Sequence, residues 1–435
     1  MPKKSKFYPQ LKKMRGRDVE SPGIGFYEKL MQESGKDSTL RAIIFTKDPE
    51  AYAKEAESKG IKVKFVHKLI NAVTIETTAD NILAASDEGV VVKIWEDLKV
   101  QMFLHESVPV INGPKVWKKG AEGQGIVVAI VDTGVDGEHP DIKGKLGATA
   151  DFTEEGYFDG NGHGTHVGGT VCGTGAASKG KYKGVAPKAT LIAAKVLDSS
   201  GSGTFSGVIA GIEWATEQKP HVMNLSLGAN VQGSCDGTDP VCQAVDAAMD
   251  KGIVMCVAAG NAGPGSSTVG TPGCAKKVIT VGASSKEDQI AWFSSRGPTK
   301  DGRVKPDILL PGANIVAARA KDTSLGSPID QHYTSASGTS MATPHCAGVA
   351  ALLLSGNLNL TPAQVKAKLM QTAIDLQYDP NTQGSGRVDA YAAFAGEGPP
   401  PPSPEPEVPM PKEFAIFLTI IIAIIIVIVI LGFIP

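Results

Sequence analysis

A doubly wound α/β domain on a mainly parallel sheet is the fold class the sequence predicts. A small α+β domain precedes it and a single membrane-spanning helix follows it. Three observations lead there. Between residues 110 and 396, continuous apolar runs alternate with helix-forming stretches; residues 38–104 alternate strand and helix patterns in the order βαββαβ; and residues 414–434 contain no charged side chain.

Residues 1–37 open with MPKKSKFYPQLKKMRGR, which is basic and lacks an apolar core. They predict a disordered segment rather than a cleavable signal peptide. In the next unit, residues 38–104, TLRAIIFT (39–46) predicts a strand, and PEAYAKEAESKG (49–60) a helix opened by Pro49 and closed by Gly60. IKVKFV (61–66) and NAVTIET (71–77) alternate apolar with polar residues, the period of a strand. TADNILAASDEG (78–89) predicts a second helix and VVVKIWED (90–97) a last strand. The order is that of the ferredoxin-like plan, which hosts many functions and assigns none by itself.

Residues 105–396 change character. IVVAIVDTG (126–134), TLIAAKVLD (190–198), VMNLSLG (222–228), IVMCVAAGN (253–261) and VITVGAS (278–284) are unbroken apolar runs. Such runs suit parallel strands covered on both faces. Helices fit at 163–174, 204–218, 240–251, 339–355 and 361–373. A Pro-rich, polyproline-type spacer follows at 397–413, then FAIFLTIIIAIIIVIVILGFI at 414–434, with Thr419 as its one polar side chain. As a helix it spans about 31 Å, the thickness of a bilayer's hydrocarbon core. It has no polar face to turn to water, so it predicts a membrane anchor.

The net charge of −2 gives no electrostatic reason to expect nucleic acid as a partner. Fifty glycines, most of them after residue 110, point to tight turns and close backbone approaches. The six cysteines include no CxxC pair and predict no metal pattern. Cys235 and Cys242 flank the loop SCDGTDPVC and are open to bridging or to remaining free; Cys172, Cys256 and Cys346 sit in apolar or small-residue runs and predict core positions.

Amide hydrolysis needs a nucleophile, a base to activate it, a group to orient the base, and donors for the oxyanion. AIVDTGVDGEHPDI ends a strand at Asp132; GNGHGTHVGGT starts a glycine-rich helix at His163; AAGNAG puts Asn261 just past a strand; SGTSMATPHCAG puts Ser340 in the first turn of a helix. Strand ends of such a sheet converge on one edge, where crevices form. Taken singly, each has a plainer reading: a turn carboxylate, a metal-binding histidine pair with His166, a left-handed turn residue, a helix N-cap. Together these would be four coincidences.

The four segments resemble the Asp, His, Asn and Ser blocks of the subtilisin (subtilase) family, in that family's chain order. SSGSGTFSGVIAGIEWA, NLSLG, FSSRGPT and KPDILLPG resemble further family segments, and the likeness runs over about residues 105–396. No G-x-S-x-G elbow occurs, which argues against an α/β-hydrolase. The resemblance implies a serine endopeptidase in which Ser340 is the nucleophile, His163 the general base and acid, and Asp132 its orienting partner. Asn261 and the Ser340 N–H would form the oxyanion hole. Ser202 and Gly203 would pair with an extended peptide. Ser226, Leu227, Gly228, Ala258, Ala259 and Gly260 would line the P1 pocket over a floor at Gly270. These walls carry no acidic residue, so an apolar P1 is expected, with Asp236 and Asp239 nearby in sequence.

The chemistry needs no cofactor. The family's tight calcium loop is missing from GTGAASKGKYKGVAP, which leaves Asp141 as a candidate ligand for structural calcium. The resemblance also makes 38–104 a propeptide domain, the chain's own inhibitor, with the tail KVQMFLHES (99–107) in the active site and self-cleavage between Met102 and Ser107. The implied partners are polypeptide substrates, this domain and, through the anchor, a membrane. The side of the membrane stays open: Lys412 and the missing signal peptide favour the cytosol, whereas the family's habit and a Cys235–Cys242 bridge favour the outside.

Overall fold

The computed structural model describes residues 29–97, 99–102, 109–231 and 235–396. The spacer and anchor expected at 397–434 lie outside these residues. Among the described residues, no helix is long and apolar enough to cross a membrane.

The N-terminal unit runs β1 (Thr39–Thr46), α1 (Pro49–Ser58), β2 (Lys62–His67), β3 (Ala72–Thr78), α2 (Ala79–Ala85) and β4 (Val91–Glu96). Its sheet has the order β2-β3-β1-β4 with every pairing antiparallel. Asp48 caps α1 by accepting from Ala51 N, with Pro49 at the first helical position. The strand β1 is apolar on both faces for a reason. Ala42 and Ile44 face the unit's own core with Val73, Ile75 and Ile82, while Ile43 and Phe45 join a second core with Val208, Ile209 and Ile212 of the following domain.

The predicted disorder of residues 1–37 does not extend to 29–37. Residues 29–33 are helical and Leu30 is buried in the N-terminal core. Ser34 Oγ and Gly35 N both donate to Asp80, and Lys29 pairs with Glu96. Burial of one leucine and these polar ties fix a stretch whose composition alone reads as loose.

The larger domain carries seven parallel strands in the order β14-β13-β12-β10-β6-β8-β7. They are β6 (Val127–Asp132), β7 (Leu146–Asp151), β8 (Thr190–Lys195), β10 (Val222–Leu225), β12 (Val254–Ala258), β13 (Ile279–Ser284) and β14 (Ile308–Pro311). Successive residues point to opposite faces. Val128 and Ile130 of β6 face one core, with Val167 and Val171 of the helix α4 (His163–Cys172) and with the central helix α7 (Thr339–Gly356). Ala129 and Val131 face the other, with α5 (Phe205–Glu217) and α6 (Pro240–Asp250). Helices on both faces explain why the strands read as unbroken apolar runs.

Two polar clusters sit inside this frame. Asp307 accepts from Thr280 N at 2.7 Å and pairs with Lys305 and Lys366 at 2.7 and 2.9 Å. Burial alone would raise its carboxyl, but the two ammonium groups hold it below the ordinary value, a structural role at the sheet's edge. Cys235 is disulfide-bonded to Cys274, so the Cys235–Cys242 bridge considered from the sequence is not the one formed. Cys242 starts α6 as a buried free thiol, its Sγ 3.6 Å from that of Cys274. The loop 271–274 folds back against that helix start, a juxtaposition that sequence spacing does not reveal.

Candidate active site

The strand β6 ends on Asp132, opposite Lys195 of β8. Lys195 is fully buried and donates its ammonium to Thr133 O and Leu197 O, both at 3.0 Å, which pins the turn leaving the strand. Asp132 Oδ1 lies 2.6 Å from His163 Nδ1 and also accepts from Thr133 N at 2.8 Å. Both side chains are buried, so the pair sits in a medium that strengthens its attraction.

The close approach of His163 to Asp132 depends on glycine. A Cβ on Gly164 would stand 1.9 Å from Gly134 O, so only glycine lets α4 begin against this turn. Asp159 fastens the same junction. Its two oxygens accept from Thr133 Oγ1, Asn161 N, Gly162 N, Thr165 N and Thr165 Oγ1. Burial raises its carboxyl against the pull of these donors. Sequence reasoning passed over Asp159; an Asp-Gly-Asn-Gly run just before the histidine was the available signal.

Ser340 is the second residue of α7, which packs against α4. Its Oγ donates to Ser226 O at 2.8 Å. The Ser340 N–H is among the first four of the helix, which have no intrahelical acceptor. Pro344 supplies a further effect. It has no N–H to give to the carbonyl four residues back, and that carbonyl, Ser340 O, accepts from Ser226 Oγ at 2.7 Å instead. Asn224 Nδ2 in turn donates to Ser226 Oγ at 2.9 Å. A proline in the helix thus frees a bond that ties β10 to the serine's turn.

Asn261 lies three residues past β12. Its Oδ1 accepts from Thr339 N and Thr339 Oγ1 at 2.9 and 3.1 Å. That fixes which way the carboxamide points, with its NH2 group directed away from Thr339. The arrangement can bind a developing oxyanion with one side-chain and one backbone donor. If Asn261 is that side-chain donor, its replacement by alanine lowers kcat about 10²–10³-fold, the size of losing one oxyanion donor, with KM little changed. Steady-state kinetics on a peptide substrate decide it; an unchanged kcat would mean that other donors form the hole.

The other candidate residues gather around a short sheet. The strands β9 (Ser202–Thr204) and β11 (Leu227–Gly228) flank β5 (Lys99–Met102), both antiparallel to it. Val100 lies opposite Gly203, Gln101 opposite Ser202 and Gly228, and Met102 opposite Leu227. Gly270 N donates to Ala259 O at 3.1 Å, and a Cβ on Gly270 would meet Ala229 O at 2.5 Å, so Ala258–Gly260 and the segment after Gly228 come together there. Asp236 and Asp239 are used within their own turn and helix cap, accepting from Thr238 and from Cys242 N respectively.

Asp141 accepts from Ala177 N at 3.0 Å and from Tyr333 Oη at 2.7 Å, one bond on each carboxylate oxygen. Among the described residues no group of three His, Cys, Asp or Glu side chains gathers around it.

Residues 123–390 match the profile of the Subtilase family. The chain is a subtilase. It is 40% identical to serine protease AprX of Bacillus subtilis (strain 168) over 375 residues, which cover 80% of this chain and 84% of the relative. It is 40% identical to subtilisin DY of Bacillus licheniformis over 66% of this chain and 97% of that protein. Subtilisin E of Bacillus subtilis (strain 168) is 36% identical over 80% of this chain and 90% of its own length. This subtilase is a serine endopeptidase acting on polypeptides.

The N-terminal domain of the subtilase is tied to α5 by residues that sequence reasoning had left unassigned. Asp97 accepts from Ser206 N at 2.5 Å and from Ser206 Oγ, at the start of that helix. Glu213 accepts from Leu69 N at 2.8 Å and lies 3.3 Å from His67. Lys93 donates to Thr238 O at 2.8 Å, and burial pushes its ammonium down to about 8.

Proposed function

We propose that Ser340 attacks the scissile carbonyl while His163 takes its proton and passes it to the leaving amine. Asp132 holds the imidazole tautomer, and Asn261 with the Ser340 N–H receives the oxyanion. An acyl-enzyme on Ser340 is then hydrolysed by water with the same base. The observation that carries this reading is the 2.6 Å Asp132–His163 contact at the strand edge that also presents Asn261 and Ser340. The engagement of Asp236 and Asp239 within their own turn and helix cap supports an apolar P1 residue.

The same reading makes residues 38–104 a propeptide domain that this enzyme cuts from itself. Its support is the insertion of β5 between β9 and β11, where an extended substrate would add its own strand. Asp97 at the start of α5 and Lys93 on Thr238 O would hold the domain after the cut. The mature enzyme is expected to begin between residues 103 and 107. N-terminal sequencing tests it: a mature form starting before residue 95 or after 115 would sink the assignment.

Residues 414–434 are proposed as a single-pass membrane anchor on the strength of their uncharged, almost wholly apolar run. Deleting residues 397–435 is expected to give an enzyme with unchanged kcat/KM that no longer floats with liposomes, whereas the full chain does. A truncated protein that still floats, or one whose kcat/KM collapses, would refute the anchor.

A further inference from the structure

A cluster outside the active site has the donors of a metal centre. Cys235, Asp239, Cys242 and Cys274 are all buried, and three sulfurs and one carboxylate oxygen lie within 4.8 Å of one another. The disulfide uses only two of the four, leaving a thiol and a carboxylate enclosed beside it. We propose that in the reduced protein these four residues bind one Zn²⁺ as a closed, structural site.

The dimensions suit that ion. Zn–S bonds of about 2.3 Å at tetrahedral angles put sulfurs about 3.8 Å apart, and Cys242 Sγ already stands 3.6 Å from Cys274 Sγ. Asp239 is the N-cap of α6 and Cys242 its third residue, so one turn of backbone projects both ligands to the same side. Three thiolates, one carboxylate and Zn²⁺ carry a net charge of −2, which a buried site must offset. Lys93 acts electrostatically on Asp239, and the first turn of α6 presents its positive end, where Cys242 N donates to Asp239 Oδ1. The Arg303 guanidinium donates to Cys274 O and Asp236 O at 2.9 and 3.0 Å, and Thr271 Oγ1 lies 3.4 Å from Cys242 Sγ. These are the outer contacts that orient metal ligands. The sequence showed no CxxC pair because the fourth ligand comes from a distant loop.

Formation of the site balances simply. A phosphine reduces the disulfide to two thiols, taking one oxygen atom from water. Zn²⁺ then displaces three thiol protons. The ion would clamp the segment 235–242 to the loop 271–274, directly beyond Gly270.

The test uses the full-length Ser340→Ala chain, so that it is independent of the catalytic proposal. The protein is reduced anaerobically with a phosphine, stripped with a chelator and titrated with Co²⁺. One equivalent should give a thiolate charge-transfer band and the intense visible bands of tetrahedral cobalt, both abolished by one equivalent of Zn²⁺. Zn²⁺ should also raise the Tm of the reduced protein. Cys242→Ser should lose the bands and the Tm gain, whereas Cys172→Ser keeps them. Should Cys242→Ser fail to fold, Asp239→Asn serves, with loss of zinc affinity and a changed cobalt spectrum expected on removal of a ligand's charge. Fully reduced protein that gives no tetrahedral spectrum, or a spectrum that survives loss of Cys242, would overturn the proposal.

Discussion

Replacing Ser340 by alanine should lower kcat about 10⁶-fold, the loss measured for the nucleophile of subtilisin itself, and should leave the chain uncut before residue 107. Six powers of ten correspond to about 8 kcal/mol of barrier. The folding cost is far smaller. The variant loses the hydrogen bond from Ser340 Oγ to Ser226 O, worth about 1 kcal/mol. The bond from Ser226 Oγ to Ser340 O is made to the backbone and survives. Activity and Tm should therefore separate cleanly. The residual rate should still exceed that of water, because Asn261 and the backbone donor remain. Peptidase assays with electrophoresis of the chain, expressed in a protease-deficient host, decide the matter. Normal processing of the variant would show that another protease, or another residue, makes the cut.

Asp132→Asn should lower kcat about 10⁴-fold, as the equivalent exchange does in chymotrypsin-type enzymes, with KM nearly unchanged. Asparagine has almost the same volume, so packing at the end of β6 is retained; Thr133 N and His163 Nδ1 share Oδ1, so an NH2 turned to Nδ1 also costs Thr133 N its acceptor. What changes is the proton on His163. A carboxylate only accepts, which keeps that proton on Nδ1, the tautomer the proposed base needs. A carboxamide that presents its NH2 to Nδ1 selects the other tautomer. The imidazolium formed during reaction also loses its counter-charge. The measurement is kcat and KM beside a thermal melt. A kcat within tenfold of the parent would remove Asp132 from the mechanism.

Much of this architecture was legible in the sequence, and the exceptions have physical reasons. The five central strands read clearly because helices cover both their faces. The strand β7, LGATAD, did not, because it is an edge strand that is half wet and weakly apolar. The outermost strand on the other side, β14, is only four residues long and ends in proline. Around the site, the Asp132, His163, Asn261 and Ser340 segments stood out through their glycine-rich surroundings. Asp159 did not, because its bonds to Asn161 N, Gly162 N, Thr165 and Thr133 Oγ1 look like ordinary turn chemistry. Ser226 was read only as a pocket wall, because its tie to Ser340 O is distant in sequence. The pairing of Cys235 with Cys274 was hidden for the same kind of reason: Cys242 is nearer in the chain, but the fold of the 271–274 loop decides.

On the proposed reading, the slot between β9 and β11, filled here by β5, would accept a polypeptide only at full stretch. A strand advances about 3.4 Å per residue, while the same residues in a helix advance 1.5 Å. A protein offered to this enzyme is thus cut in proportion to how often a short segment of it opens. Each 1.4 kcal/mol that a substrate invests in holding that segment folded cuts the open population about tenfold. Contacts to Ser202, Gly203 and Gly228 would then sort targets by local unfolding before any pocket reads a side chain. Damaged, nascent or misfolded chains would be consumed quickly, and well-packed neighbours spared, with no recognition sequence needed to tell them apart.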